Sequence, residues 1–100
     1  VLPHVLVFSK EAATSRMAKL ARFACLGSDG ESDQILAQKL IDRVIELNRL
    51  LEIPAQLAQV IPADIPQLSR AALDEGAGYP VPIYMKAANC NEILSRIAMA

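Results

Sequence analysis

The segment between Ser32 and Leu51 constrains the fold more than any other part of the chain. Its main apolar series has intervals of four, four, three and four residues, and two isoleucines widen it: Leu36, Leu40, Val44, Leu47 and Leu51, with Ile41 and Ile45. Because an α-helix has 3.6 residues per turn, these side chains share one face, and charged residues occupy much of the remainder. The pattern predicts an amphipathic helix with a broad buried stripe. Ser32 or Asp33 supplies its N-cap, and the helix ends before Pro54.

The remaining segments also favour helix. Ala and Leu are abundant, aromatic residues make up 4% of the chain, and no run of β-branched residues alternates with polar ones. Further helices are predicted at residues 2–8, 10–26, 56–59, 64–75 and 89–98. The stretch GYPVPIYM is predicted to be extended, because Pro80 and Pro82 forbid a regular helix. Residues 1–100 are therefore interpreted as a single all-α domain, a bundle of about five helices.

Several residues predict where these helices begin and end. Gly27 is expected to end helix 10–26 as a left-handed C-terminal cap. Asp64 is expected to cap helix 64–75, with Pro66 in the first turn, where a missing N–H costs nothing. Asn89, with Glu92 three residues later, predicts the start of the last helix by analogy with a capping box. The predicted buried face of helix 10–26 contains Met17, Leu20, Ala21 and Ala24.

Composition excludes some classes of partner. The net charge is −1, so the chain has no basic surface for nucleic acid. No apolar run reaches the ~18 residues that a membrane span needs. Apolar residues make up 53% of the chain, which suggests that some apolar surface faces a partner or another domain. Cys25 and Cys90 are far apart and lack a metal-binding spacing, which favours reduced, packed thiols over a disulfide.

Residue spacing predicts no catalytic centre. His4 is the only histidine and lies in an apolar run, so a structural role is favoured over metal binding, which needs several convergent donors. Carboxylates such as Asp74 and Glu75 fit helix ends better than an acid–base pair. Gly76 and Gly78 follow a predicted helix, whereas a dinucleotide-binding loop follows a strand. We predict no catalytic residue and no metal site from spacing alone.

The order of four stretches carries more information than composition does. They are LPHVLVFS, then AQKLIDRVIELNRLLEIPAQL, then IPADIPQLSRAALDEG, and then a Pro-rich extended segment before a final helix. In this order the chain resembles the C-terminal helical domain of the iron-containing (group III) alcohol dehydrogenases over essentially its whole length. The resemblance implies the C-terminal part of the dehydroquinate synthase-like fold.

The resemblance also implies a larger two-domain enzyme. In that family a Rossmann-like N-terminal domain binds NAD(P), and one Asp and three His early in the helical domain hold Fe²⁺ or Zn²⁺. The last ligand precedes the Leu-Pro-His-Val stretch that Leu2 to Val5 match. The metal ligands are thus expected upstream of Val1, and His4 matches a position that is not a ligand. We expect the chain to be an inactive C-terminal fragment that alone binds neither metal nor cofactor.

The resemblance points to one candidate site within the chain. In the family, the loop after the helix matched by residues 65–75 approaches the nicotinamide and substrate pocket. Many members have Cys-Thr and then Asn-Pro-Arg there; this chain has Ala77-Gly78-Tyr79-Pro80-Val81-Pro82, in which only Pro82 matches. Ala77, Gly78, Tyr79 and Pro82 are the candidate pocket residues. The alternative is that the segment is a rigid connector, since Gly and Pro also punctuate ordinary loops.

Two functions remain open at this point. The favoured one is part of a cytoplasmic, homo-oligomeric dehydrogenase whose partners are its own N-terminal dinucleotide-binding domain and a small alcohol or aldehyde. The other is a free-standing helical module that binds a protein partner through its apolar surface. Neither function involves nucleic acid or membrane.

Overall fold

The computed structural model describes residues 1–28 and 30–98. Its regular elements are α1 (Leu2–Phe23), α2 (Asp33–Leu50), a 3₁₀ turn (Pro62–Asp64), α3 (Ile65–Gly76) and α4 (Ala87–Ile97). Within the described ranges there is no strand, only one isolated bridge between Leu57 and Ala98. The predicted all-α class is confirmed. The chain divides into two compact units, Leu2–Ile53 and Pro54–Ala100, which are described separately below.

The first unit is a hairpin of α1 and α2. The Lys10 ammonium donates to Gln38 Oε1 at 2.8 Å, and the Arg22 guanidinium donates to Asp33 at 2.9 Å. Since the later α2 residue meets the earlier α1 residue, the two helices run in opposite directions. The separate helices predicted at residues 2–8 and 10–26 are wrong, because they form one continuous helix. No Gly or Pro interrupts it after Pro3, which lies in the first turn, where its missing N–H needs no partner.

Alanines of both helices alternate with larger residues where α1 packs against α2. Ala13 and Met17 form one buried cluster with Ala37 and Ile41. Ala18 and Ala21 form another with Leu36, and Leu40 packs against both clusters. Alanine has almost no side-chain bulk, so it lets the facing helix come close while the larger residues fill the space between.

The buried faces of the hairpin are narrower than predicted. Met17 and Ala21 are buried as expected, but Leu20 and Ala24 are exposed, and Ala13 and Ala18 complete the face.

On α2, the buried residues are Leu36, Ala37 and Ile41, whereas Leu40 and Val44 are only partly buried. The prediction of burial is wrong for Ile45, Leu47 and Leu51, which are exposed. Within this unit a single helix covers α2, and one helix cannot cover a stripe of that width and length.

Both helices of the hairpin end in a left-handed residue that is not glycine. Cys25 has φ 58°, and the next residue, Leu26, donates its N–H to the Ala21 carbonyl at 2.9 Å. Glu52 has φ 57°, and Ile53 likewise donates to the Asn48 carbonyl at 2.8 Å. This pairing from the sixth residue to the first is the Schellman motif. The prediction that Gly27 is the left-handed cap is therefore wrong, because α1 ends at Phe23 and the left-handed residue is Cys25, two residues before Gly27.

Gly27 is instead required by close packing. A Cβ atom at this position would lie 2.5 Å from Leu36 Cδ2 and 2.8 Å from Glu31 Oε1. Heavy atoms do not approach that closely, so a side chain at residue 27 would force the Leu36 and Glu31 side chains or the loop to shift. Because Leu36 is fully buried, it has little room to move, and glycine suits this position.

Polar contacts hold the same loop at the start of α2. The Glu31 carboxylate accepts hydrogen bonds from the Lys39 ammonium at 2.8 Å and from the Ser28 N–H at 2.8 Å. These two hydrogen bonds hold the pKa of Glu31 below its ordinary value, and the one from Lys39 has the larger effect. The ionised form is the bound form, so these contacts weaken as pH falls and Glu31 takes up a proton. Ser32 Oγ accepts from the Ile35 N–H at 3.3 Å, which confirms Ser32 as the N-cap.

The second unit is built on the packing of α3 against α4. Its buried residues are Ile65, Ser69, Cys90, Ile97 and Ala98. The N–H of Leu57 donates to the Ile97 carbonyl at 2.6 Å, so the segment before α3 lies against the end of α4. The helix predicted at residues 56–59 is wrong, since that segment forms turns and the bridge. The 3₁₀ turn Pro62–Asp64 comes immediately before α3.

The ends of α3 and α4 differ in detail from the prediction. Asp64 precedes α3 as expected, but its side chain makes no capping hydrogen bond, whereas Pro66 does lie in the first turn. The N-cap of α4 is Lys86, so the prediction of Asn89 as N-cap is wrong. Asn89 occupies the third helical position, and its Oδ1 accepts from the Lys86 N–H at 3.0 Å. That contact is the reciprocal half of a capping box. Asn89 thus does belong to a capping motif, but at the third helical position rather than at the N-cap.

Truncation of Ile41 tests the hairpin core. Ile41→Ala is expected to lower the free energy of unfolding by about 2–5 kcal/mol, because Ile41 is fully buried and the change leaves a cavity. Ile45→Ala, one turn later on the same helix, is the matched control and should cost less than about 1 kcal/mol, since Ile45 is half exposed. Urea denaturation followed by circular dichroism measures both. Equal losses for the two variants would contradict the assigned face.

Candidate functional site

The segment Gly76 to Pro82, here called the 76–82 loop, leaves the end of α3 through a tight turn. Ala77 is the C-terminal cap, and its N–H donates to the Asp74 carbonyl at 3.4 Å. Gly78 has φ 91°, and the Tyr79 N–H donates back to the Gly76 carbonyl at 3.2 Å. Beyond the turn, residues 79–86 form no helix, as the prolines predict.

The four candidate pocket residues lie together on this loop. Ala77, Gly78, Tyr79 and Pro82 are all exposed, as is every other residue of the loop. Tyr79 leaves 66% of its surface uncovered. The structure thus places the four residues in one continuous accessible segment. Accessibility fits both a pocket wall and a plain connector, so their role in substrate binding stays a prediction.

The two loop glycines have different requirements. A Cβ atom at either Gly76 or Gly78 would meet no atom within 4 Å among the described residues. Space therefore does not demand glycine at either position. The positive φ of Gly78 does, because a side chain is strained in that region, whereas Gly76 is the last residue of α3 and has no such conformation.

Two further exposed residues of the extended segment were missed by sequence reasoning. Val81, in the loop, is 48% exposed, and Tyr84, three residues after it, is 79% exposed. Residues 79, 81 and 84 fall at both odd and even positions beside the prolines, so their spacing gives no periodic signal. An extended segment between two helices leaves such side chains uncovered, and that was the available clue.

A second missed feature lies between α3 and α4. Ser69 is 1% exposed, and its hydroxyl donates to Oδ1 of Asn91. Ser69 is four residues after the buried Ile65, so the helical period places it on the inner face of α3. The signal was therefore present in the sequence, as a polar residue at an inward position.

The titratable residues do not converge on the loop. Within residues 1–28 and 30–98, no group of three or more His, Cys, Asp or Glu side chains could hold a metal ion. His4 lies in the first turn of α1, and both cysteines are free thiols, Cys25 exposed and Cys90 buried. Asp74 and Glu75 are exposed in the last turn of α3. The loop can therefore offer shape and apolar contact to a ligand, and the Tyr79 phenol is its one side chain able to transfer a proton.

Comparison with protein families gives a match over residues 1–98, to the Fe-containing alcohol dehydrogenase family, C-terminal. The chain belongs to this family. The resemblance inferred from the order of the four stretches is thereby confirmed, and so is the helical fold class. Neither the search of curated proteins nor the search of solved structures gave a match.

Membership of the Fe-containing alcohol dehydrogenase family places the 76–82 loop within the matched region. It also connects the chain with a family of oxidoreductases. No helix in the described part of the chain is long and apolar enough to cross a membrane.

Alanine substitution of the two loop glycines tests the turn. Gly78→Ala is expected to lower the free energy of unfolding by about 1–2 kcal/mol, the usual cost of an L-residue at positive φ. Gly76→Ala should be neutral or stabilising by up to about 1 kcal/mol, because alanine is the better residue within a helix. Chemical denaturation of both variants is the measurement. A cost at Gly76 as large as that at Gly78 would show that the turn differs from the one described.

Proposed function

We propose that the chain is the helical part of a metal-dependent alcohol dehydrogenase that interconverts small alcohols and aldehydes with NAD(P). The observation that carries the proposal is the family match over residues 1–98. The described residues contain no group of three or more His, Cys, Asp or Glu side chains that could hold a metal ion, which supports a division of labour between domains. In this proposal residues 1–100 form one helical domain, and the loop lines the substrate pocket.

The donor set for a metal ion does not fit this chain. One histidine and two separated cysteines are present, and the described residues contain no cluster of potential ligands. In the proposal, residues preceding Val1 hold Fe²⁺ or Zn²⁺ and form the dinucleotide-binding domain. The metal ion supplies Lewis acidity and NAD(P) supplies the hydride chemistry when they are bound. The contribution of this chain is to bind and orient the carbon chain of the alcohol.

The proposed partners are the N-terminal dinucleotide-binding domain, a small alcohol or aldehyde, and further copies of the same protein in the cytoplasm. Large exposed apolar residues support a covering partner. Phe23 is 90% exposed, Leu51 68% and Tyr84 79%. Exposed aromatic and leucine side chains at such levels are typical of surfaces that a partner protects from water.

The same exposed residues favour a second candidate function, a free-standing helical module that binds another protein. The gene sequence before the codon for Val1 separates the two. A Gly-rich dinucleotide motif with one Asp and three His supports the dehydrogenase. A start codon immediately before Val1 supports the module.

An activity assay of the complete gene product tests the proposed function. The protein is expected to reduce NAD⁺ or NADP⁺ with a primary alcohol, to lose activity after chelator treatment, and to regain it with Fe²⁺ or Zn²⁺. The 100-residue chain alone is expected to be inactive and serves as the control. Absorbance of the reduced nicotinamide is the readout. Absence of alcohol-dependent reduction with either cofactor and either metal would overturn the proposal.

Enlargement of Ala77 tests the place of the loop in that function. Ala77→Leu in the complete enzyme is expected to lower kcat/KM for a long primary alcohol about tenfold more than for a short one, because the larger side chain takes space from the bulky substrate. Ala72→Leu, an exposed position on α3, is the matched control and should leave the ratio unchanged. The fold should survive, since both sites are open. Equal changes for the two alcohols would leave the loop a connector.

A further inference from the structure

We propose that Ser69 and Asn91 are positioning residues for the 76–82 loop. Their hydrogen bond joins α3 to α4, the two helices between which the loop runs. The inference has two parts: the bond fixes where the loop stands relative to α3, and that position sets substrate preference. The second part rests on the proposed function, whereas the first can be tested on the chain alone.

The burial of the pair is the first observation. Ser69 is the most buried residue of the second unit and, among the buried residues of the described chain, the only polar one. The other buried residues of this unit are apolar, including Ile65 and Cys90. Loss of the Asn91 side chain would leave the Ser69 hydroxyl without this hydrogen bond in a place that water reaches poorly, which is costly.

The directionality of the bond is the second observation. Apolar side chains tolerate a small sliding of one helix along another, because dispersion contacts depend weakly on direction. A hydroxyl that must meet a particular amide oxygen does not tolerate such sliding, because a hydrogen bond weakens steeply with distance and angle. A buried polar pair of this kind is suited to fixing the register between two helices.

The third observation is that little else holds the loop. Every residue from Gly76 to Pro82 is exposed. In the described part of the chain, the backbone hydrogen bonds of the loop come from Ala77 and Tyr79 and go to the last turn of α3. At the far end, the chain enters α4 through Lys86, whose N–H donates to Asn89. The segment from Gly76 to Lys86, which contains the loop, therefore connects the end of α3 with the start of α4. The register of the two helices sets the distance between those two ends.

The matched control is Ser95. Its hydroxyl donates to the Asn91 carbonyl at 2.8 Å within the same helix, and the residue is exposed. Ser95→Ala removes a serine hydroxyl and a hydrogen bond to Asn91, as Ser69→Ala does, but leaves the contact between the helices intact. A difference between these two variants thus isolates the register.

The first arm measures loop geometry in the 100-residue chain. Residual dipolar couplings give the directions of the Gly78, Tyr79 and Val81 N–H bonds relative to α3. Ser69→Ala and Asn91→Ala are expected to shift these couplings beyond experimental error, and the double variant should shift them no further than the larger single change, because both residues act through one bond. Ser95→Ala should leave them unchanged. Asn91 is only partly buried, so its variant carries the arm if Ser69→Ala fails to fold.

The second arm measures specificity in the complete enzyme. Ser69→Ala is expected to change the ratio of kcat/KM between a long and a short primary alcohol about three- to tenfold, through KM for the long alcohol, as misplacement of a remote support does. A purely structural role would lower thermal stability without moving this ratio. Ser95→Ala should leave the ratio unchanged.

Unchanged couplings in both Ser69→Ala and Asn91→Ala, or equal changes in Ser95→Ala, would overturn the inference. A change in couplings with a constant ratio, in an enzyme whose ratio responds to Ala77→Leu, would overturn its second part. Absence of alcohol dehydrogenase activity in the wild type would instead overturn the proposed function, and the couplings would still decide the geometric part.

Discussion

The packing of alanines on α1 against Leu36 and Ile41 on α2 is the contact on which the first unit depends. Ala13, Ala18 and Ala21 let α2 approach closely enough that those two side chains are completely buried. Burial of a leucine or isoleucine contributes about 1.5–3 kcal/mol each, and this unit has few other fully buried large residues. The Arg22–Asp33 ion pair and the loop at Gly27 lie where the two helices meet, so their positions follow from that close approach.

Helical periodicity predicted which segments are helical, but not how much of each stripe is covered. Leu36 and Leu47 belong to the same series in the sequence, yet one is buried and the other is exposed. A period reports which side chains share a face and gives no account of the width of the partner on that face. Left-handed caps at Cys25 and Glu52 were equally invisible, because the sequence rule looks for glycine or asparagine at such positions.

The candidate site was predictable in part. Two prolines were enough to predict an extended segment after α3, and the glycines before them to predict a turn. The role proposed for that segment rests on the order of stretches along the chain, because the residue spacing within it matches no catalytic motif. The Ser69–Asn91 contact needs two residues that are distant in sequence, and only the packing of α3 on α4 brings them together.

Gly27 and Gly30 are close in sequence but differ in the space that each has for a side chain. A Cβ atom at residue 27 would lie 2.5 Å from Leu36 Cδ2, whereas one at residue 30 would meet no atom of the described residues within 4 Å. Every single-base change that alters the Gly27 codon's amino acid adds atoms against the fully buried Leu36. Packing therefore restricts substitution at residue 27 but not at residue 30. The turn between α1 and α2 can vary in its composition at its tip while its point of contact with α2 stays fixed.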